Sequence, residues 1–250
     1  QQDLKYYLEA GDSRSPTYQV TVIPAPVIWI TRVQYDYPKY TNIPPQTVTR
    51  QGDLEAIEGT QVTLFAETNQ PIEHASVIFA TEQNPDAKLL PMTAQQQAAE
   101  IPFLLQMNED RSASEYHSYR LEFITTRQHQ SEKPLVHRIE VTRDLPPEIE
   151  ILQPQQRRLE VPVTASQIIE VRALDADFGL SRIALRAVAG ETDILDHTLF
   201  EDQAGQSGQL IRRFNFRPAQ LGLNPGDEVS LRAAAWDNRV SPQGQFEPQV

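Results

Sequence analysis

The chain has 250 residues, 22 Lys+Arg against 34 Asp+Glu, a formal charge of −12 and no cysteine. Its length suggests two folded units, with one large β-domain as the competing arrangement. The acidic balance repels phosphate backbones and anionic lipid, which argues against a nucleic-acid partner. The missing thiols exclude disulfides, cysteine nucleophiles and thiolate metal sites, and fit a reducing compartment or an exported bacterial protein alike.

Taken in chain order, Tyr6 to Pro16 reads as a hairpin and Tyr18 to Val22 as its return strand, because apolar and polar residues alternate there. The most apolar stretch, Val22 to Ile30, is interrupted by Pro24 and Pro26. It is far shorter than the roughly 20 apolar residues a spanning helix needs, so no direct membrane insertion is expected. The chain opens on Gln1 without an initiator Met, and any leader or anchor is expected outside it. Further strands are predicted at Gln61 to Ala66, Ala75 to Phe79, Tyr119 to Thr125, Val136 to Val141, Ile169 to Ala173 and Arg182 to Arg186. Met92 to Glu100, rich in Ala and Gln, reads equally as a short helix or a solvated loop. Gly205-Gln206-Ser207-Gly208 reads as a flexible hairpin tip, since Gln209 stands where a nucleophile elbow needs its last Gly.

Nineteen prolines against ten glycines, spread between these runs, suppress long helices. Internal repetition is the most informative feature. Tyr6-Tyr7-Leu8-Glu9-Ala10-Gly11-Asp12-Ser13-Arg14-Ser15-Pro16 matches Leu231-Arg232-Ala233-Ala234-Ala235-Trp236-Asp237-Asn238-Arg239-Val240-Ser241-Pro242, and Tyr119 to Thr125 is a diverged copy between them. The equivalent positions Ala10, Phe123 and Ala235 are separated by 113 and 112 residues. Return strands at Tyr18 to Val22 and Val136 to Val141 each lead into a proline joint, Pro24-Ala25-Pro26 and Leu145-Pro146-Pro147. Proline fixes φ there and stiffens the connection. The predicted fold is all-β: tandem immunoglobulin-like or fibronectin-III-like β-sandwiches. Residues 1–25 are expected to be the closing hairpin of a preceding unit, with one sandwich over 26–144 and another over 145–250.

Glu58 to Ala66 resembles the strand that opens an immunoglobulin-type core, with Ala66 where a disulfide-bonded domain places its first cysteine. Tyr119-Arg120-Leu121 is similar to the tyrosine-corner strand, with Leu121 in the second cysteine's place. Apolar packing then replaces the bridge, and the strand topology stays open because several kinds of cysteine-free sandwich share these features. A closer resemblance is to the extracytoplasmic immunoglobulin-like repeat region of large membrane-anchored bacterial proteins of the planctomycete type. It rests on Tyr6 to Asp12 with Pro16 and Tyr18, Tyr37 to Pro45, Gly52 to Thr60 and Asp175 to Leu180. The resemblance implies an exported, membrane-linked location, periplasmic or cell-surface, and supplies no catalytic or ligand residues.

The site chemistry is sparse. Asp175 and Asp177, on alternate residues before Gly179, offer hard oxygen ligands for Ca²⁺, with Asp237 and Asn238 from a neighbouring loop. The favoured alternative is a polar turn whose Asp side chains accept from backbone amides, since no closing Glu follows at the spacing an EF-hand requires. No other cofactor is implied. The five histidines show no i, i+4 pair and read as surface residues. Acidic pairs such as Glu109-Asp110 and Glu201-Asp202 lie in polar stretches and read as solvated. No catalytic site is expected. Trp29, Tyr35, Tyr37, Tyr40 and Trp236 are the candidate binding residues, because exposed rings stack on sugars or anchor a protein at low entropy cost. The competing account places both tryptophans in a core or joint and makes Tyr37 to Pro45 an edge cover. The expected role is a non-catalytic structural or interaction module. Its partners would be other domains of the same parent protein, or alternatively a protein or cell-wall glycan.

Overall fold

A computed structural model of the chain describes residues 3–130, 133–239 and 248–249. It is all-β and β-sandwich-like, and among the described residues the helical turns are the 3-10 turns Lys39–Thr41 and Pro218–Leu221. The chain divides into two compact units. The first comprises Gln1–Tyr35, Gln46–Ala56 and Gln61–Val141; the second comprises Asp36–Pro45, Ile57–Thr60 and Thr142–Val250.

The first unit opens with β1 (Asp3–Tyr6), β2 (Glu9–Ala10), β3 (Ser13–Arg14) and β4 (Tyr18–Thr21). β1 pairs antiparallel with β4, and β2 with β3. There follow β5 (Ile28–Asp36), β6 (Gln46–Thr49), β7 (Leu54–Ile57), β8 (Gln61–Thr68), β9 (Ile72–Ala80), β10 (Lys88–Pro91), β11 (Thr93–Gln95), β12 (Ala98–Leu104), β13 (Ser118–Thr125) and β14 (Val136–Thr142). These ten make two five-stranded sheets, ordered β11-β12-β8-β5-β6 and β10-β9-β13-β14-β7. The period of two in the sequence decides which face of each strand is buried. Val62, Leu64 and Ala66 of β8 are buried, as are Ala99, Ile101 and Phe103 of β12 and Tyr119, Leu121 and Phe123 of β13. Phe103 of one sheet meets Phe79 of the other edge to face, ring centroids 5.1 Å apart, so the two apolar faces cover each other. Ala66 and Leu121 are both buried. The Tyr119 hydroxyl donates to the Gly52 carbonyl at 2.5 Å, a partner 67 residues upstream.

The second unit holds β15 (Glu148–Gln153), β16 (Gln167–Ala189), β17 (Thr192–Phe216), β18 (Val229–Asp237) and β19 (Pro248–Gln249), ordered β15-β16-β18-β19 with β17 also on β16. β16 has 23 residues and β17 has 25. At about 3.3 Å per residue, strands of that length are too long to stay straight within a domain. The β16–β17 ladder is interrupted between Asp175 and Leu180, passing from Asp175↔Gly208 to Leu180↔Gln206. Before the interruption β16 pairs with β15 and the end of β17; after it, with β18 and the start of β17. Ile169, Val171 and Ala173 of the first half share one core with Ile183, Leu185 and Ala187 of the second, so the sheet turns back on itself. Gly179 stands close against the facing backbone: a Cβ there would meet the Gly205 carbonyl carbon at 3.0 Å.

Four expectations are corrected. Asp175 to Gly179 and Gly205 to Gly208 are not a connecting turn and a hairpin tip, because both lie inside long strands at the interruption; the tip is at Gly190, φ +62°. Met92 to Glu100 is neither helix nor loop but mostly the hairpin of β11 and β12, turning at Gln96 with φ +54°. Pairing with β8 and burial of Ala99 outweigh the helical propensity of Ala and Gln. Phe123 and Ala235 occupy like settings, each inside a strand paired to an earlier one, Phe123↔Ala75 and Ala235↔Ile183. Ala10 instead sits exposed in two-residue β2, so the first copy matches them in sequence and not in backbone setting.

Neighbouring residues of β12 provide the check. Phe103→Ala should cost about 3–5 kcal/mol in urea unfolding, and Leu104→Ala, whose side chain is exposed, less than about 0.5 kcal/mol.

Candidate functional site

The proline joints are where side-chain chemistry concentrates. Proline lacks a backbone donor, so a joint built from it cannot be held by a sheet ladder alone. In the first unit the corner after β8 holds the joint. Asn69 Oδ1 accepts from Val27 N at 2.9 Å, Asn69 Nδ2 donates to Ala25 O at 2.8 Å, and Gln70 Nε2 donates to Pro24 O at 2.8 Å. In the second unit the corner of β16 does the same work with an acid: Asp177 Oδ2 accepts from Leu145 N at 2.9 Å. The polar pair after β8 and the Asp-Ala-Asp phrase were the available sequence signals.

Around Leu145 the second unit gathers Tyr40, Glu58, Asp144, Asp175, Asp177, Asp237, Asn238 and Arg239. Glu58 Oε1 accepts from Asp144 N at 3.0 Å and from Arg239 Nη1 at 3.1 Å. Arg239 Nε lies 3.5 Å from Asp144 Oδ2, whose side chain is 3 % exposed. Asn238 Nδ2 donates to Tyr40 O at 2.9 Å, and the Tyr40 ring sits edge-on to Phe178 at 5.6 Å. Asp175 Oδ1 accepts from the amides of Asp177 and Phe178 at 3.1 and 2.9 Å, and Asp237 Oδ1 from Arg239 N at 2.9 Å. Burial, then the charges of Asp177 and Asp237, push the Asp144 carboxyl up to about 7. Burial, then a hydrogen bond with Asp177, raises Asp175 to about 6. Burial, then the Asp144 charge, raises the Tyr40 hydroxyl.

Asp175, Asp177 and Asp237, proposed from sequence as Ca²⁺ ligands, thus fall in one cluster, where each offers oxygen to a backbone amide. Among the described residues no group of three or more His, Asp or Glu side chains is placed to hold a metal ion. The aromatic candidates fall in different settings. Tyr35 is buried, Tyr37 and Tyr40 are half-buried, and Trp236 is half-buried under the Arg182 guanidinium, 4.9 Å from the ring. Trp29 is 43 % exposed and lines a hollow of about 180 Å³ with Arg50, Leu135 and His137. His137 stacks on Tyr119 at 5.2 Å, and its burial lowers its pKa.

Compared with known protein families and with curated protein sequences, the chain matches no family model and no curated sequence. Among the described residues no helix is long and apolar enough to cross a membrane.

Because Asp144 and Asp175 bind protons more tightly folded than unfolded, their contribution is fully favourable below the ordinary carboxylate value of 3.8 and is lost as pH rises towards about 7. In Asp144→Asn this loss should be reduced. The melting temperature of the variant relative to wild type should therefore rise between those pH values, as read by calorimetry.

Proposed function

We propose that the chain is a non-catalytic structural module: immunoglobulin-like sandwiches in tandem, in the extracytoplasmic part of a membrane-anchored bacterial protein, holding other parts of that protein apart or mediating its assembly. The strand order supports the immunoglobulin-like part of the reading. In the first unit β8 pairs with β12 in one sheet, while β9 and β13 pair in the other. In the second, the two halves of β16 play the parts of β8 and β9, β17 follows β12, and β18 follows β13. That division of strands between sheets is the one an immunoglobulin or fibronectin-III sandwich uses. The observation that carries the spacer role is the joint itself: each proline joint is hydrogen-bonded by a corner of the sandwich that follows it, through Asn69 and Gln70 or through Asp177. Bonds of this kind fix each proline segment to the sandwich that follows it. The resemblance in its phrases supports the exported location. Small-angle scattering of the dilute chain tests the role. A maximum dimension well beyond that of one 250-residue globule is expected, and a single compact globule would overturn it.

One observation favours a second reading, recognition of cell-wall glycan. Trp29, 43 % exposed, lines a hollow that Arg50 and His137 also line, an aromatic side chain with polar neighbours. Titration with glycan fragments should then quench tryptophan fluorescence, and Trp29→Ala should abolish binding. Quenching retained in that variant would remove this site.

A further inference from the structure

The long strand β17 is paired on one edge only. Along its 25 residues it pairs with β16, and among the described residues no strand lies on its other edge. This edge is internal to the chain, since β16 precedes β17 and β18 follows it in the same sheet. In the first unit the corresponding edge is covered: β12, the counterpart of the second half of β17, carries β11 on that side. There the same stretch is divided into β10, β11 and β12. In the second unit it runs on as one strand, and no separate strand is left over to cover the edge. An unpaired edge presents backbone donors and acceptors that another strand can satisfy.

The charges along β17 select that strand. Glu201 and Arg213 are equidistant from Ser207, and so are Asp202 and Arg212. Two copies of β17 laid antiparallel with Ser207 opposite Ser207 therefore set each of these acids opposite a base of the other copy. The twofold axis forms both pairs twice. Opposite charges directly across an antiparallel pair are favourable and like charges are not. A shift of one residue either way leaves one acid–base pair instead of two, so the charges also select the register. Glu201 and Asp202 are exposed and have no ion-pair partner among the described residues. Arg213 reaches Glu170, and the Arg212 guanidinium lies 5.1 Å from the Phe200 ring. A guanidinium carries five donors, enough to serve a second carboxylate. Ile211, 42 % exposed, lies in the same stretch and is partly covered by the pairing.

We propose that two copies of this chain associate edge to edge through β17, antiparallel about Ser207, so that one sheet runs through both second units. Each copy uses the same edge, so the contact is isologous and closes as a dimer. The dimer goes beyond the structural-module reading and does not depend on it. Scattering at a dilution where the chain is monomeric tests that reading separately.

Sedimentation velocity over a wide concentration range, with hydrogen exchange at its two ends, is the experiment. The expected result is one monomer-to-dimer step, weakened by salt, with slower exchange of the amides from Glu201 to Arg213 in the dimer. Glu201→Arg/Asp202→Arg makes the edge basic throughout, and Arg212→Glu/Arg213→Gln removes its bases while leaving an amide donor for Glu170. Each variant alone should be monomeric with the wild-type circular dichroism spectrum, and an equimolar mixture of the two should form a dimer. Glu201 and Asp202 are exposed, so the first variant is expected to fold and decides the case by itself if the second does not. A monomer at every concentration would overturn the proposal. So would growth beyond the dimer, a dimer that persists in Glu201→Arg/Asp202→Arg, a mixture of the two folded variants that stays monomeric, or unchanged exchange from Glu201 to Arg213.

Discussion

A strand that is apolar on alternate residues leaves one sheet face that must be covered, and covering it is the constraint from which the rest of this molecule follows. In the first unit a second sheet provides the cover, with Phe79 against Phe103 at its centre. In the second unit the cover comes from the same sheet turned back, so that Val171 and Leu185 of one strand share a core. Turning back interrupts the β16–β17 ladder between Asp175 and Leu180. Amides inside that interruption still need acceptors. Asp175 supplies one oxygen to two of them, those of Asp177 and Phe178. The acidic phrase is therefore tied to the bend by hydrogen bonding before any ligand is considered.

The same economy of backbone partners explains the joints. Pro24, Pro26, Pro146 and Pro147 bring carbonyls but no donors, and side chains from the neighbouring corner take up what the ladder cannot. An amide pair, Asn69 and Gln70, both donates and accepts, whereas Asp177 can only accept. Using an acid there has an electrostatic consequence. Asp177 adds its charge to a buried group of carboxylates that includes Asp144 and Asp237, with Arg239 as the cation paired to Glu58 and Asp144. A carboxyl in such surroundings keeps its proton to higher pH than one in water. Burial and these neighbours raise two carboxyls of the cluster, Asp144 and Asp175, above their ordinary value.

Much of the fold could be read from residues in order. Alternation at Gln61 to Ala66, Tyr119 to Thr125 and Ile169 to Ala173 identified strands and their buried faces, and the lack of long apolar or helical runs excluded other classes. The readings that failed share a cause. Met92 to Glu100 and Gly205 to Gly208 have local preferences for helix or turn, yet β12 is held by β8 and Gly205 to Gly208 lies in β17 beside β16, partners about thirty residues away. Tyr35 was a candidate for exposure because aromatic residues cluster near it, yet its strand position buries it.

By itself, the sequence determined the strand class, the prolines between strands and the acidic, thiol-free chemistry, because periodicity and composition are local properties. Only the tertiary structure decided that β16 and β17 run on through a bend. It also decided that Asn69 and Asp177 hold the joints. Each of these depends on which distant segment supplies the covering face or the missing hydrogen-bond partner. That choice is made by packing, as when Tyr119 reaches back 67 residues to the Gly52 carbonyl, and spacing along the chain does not encode it.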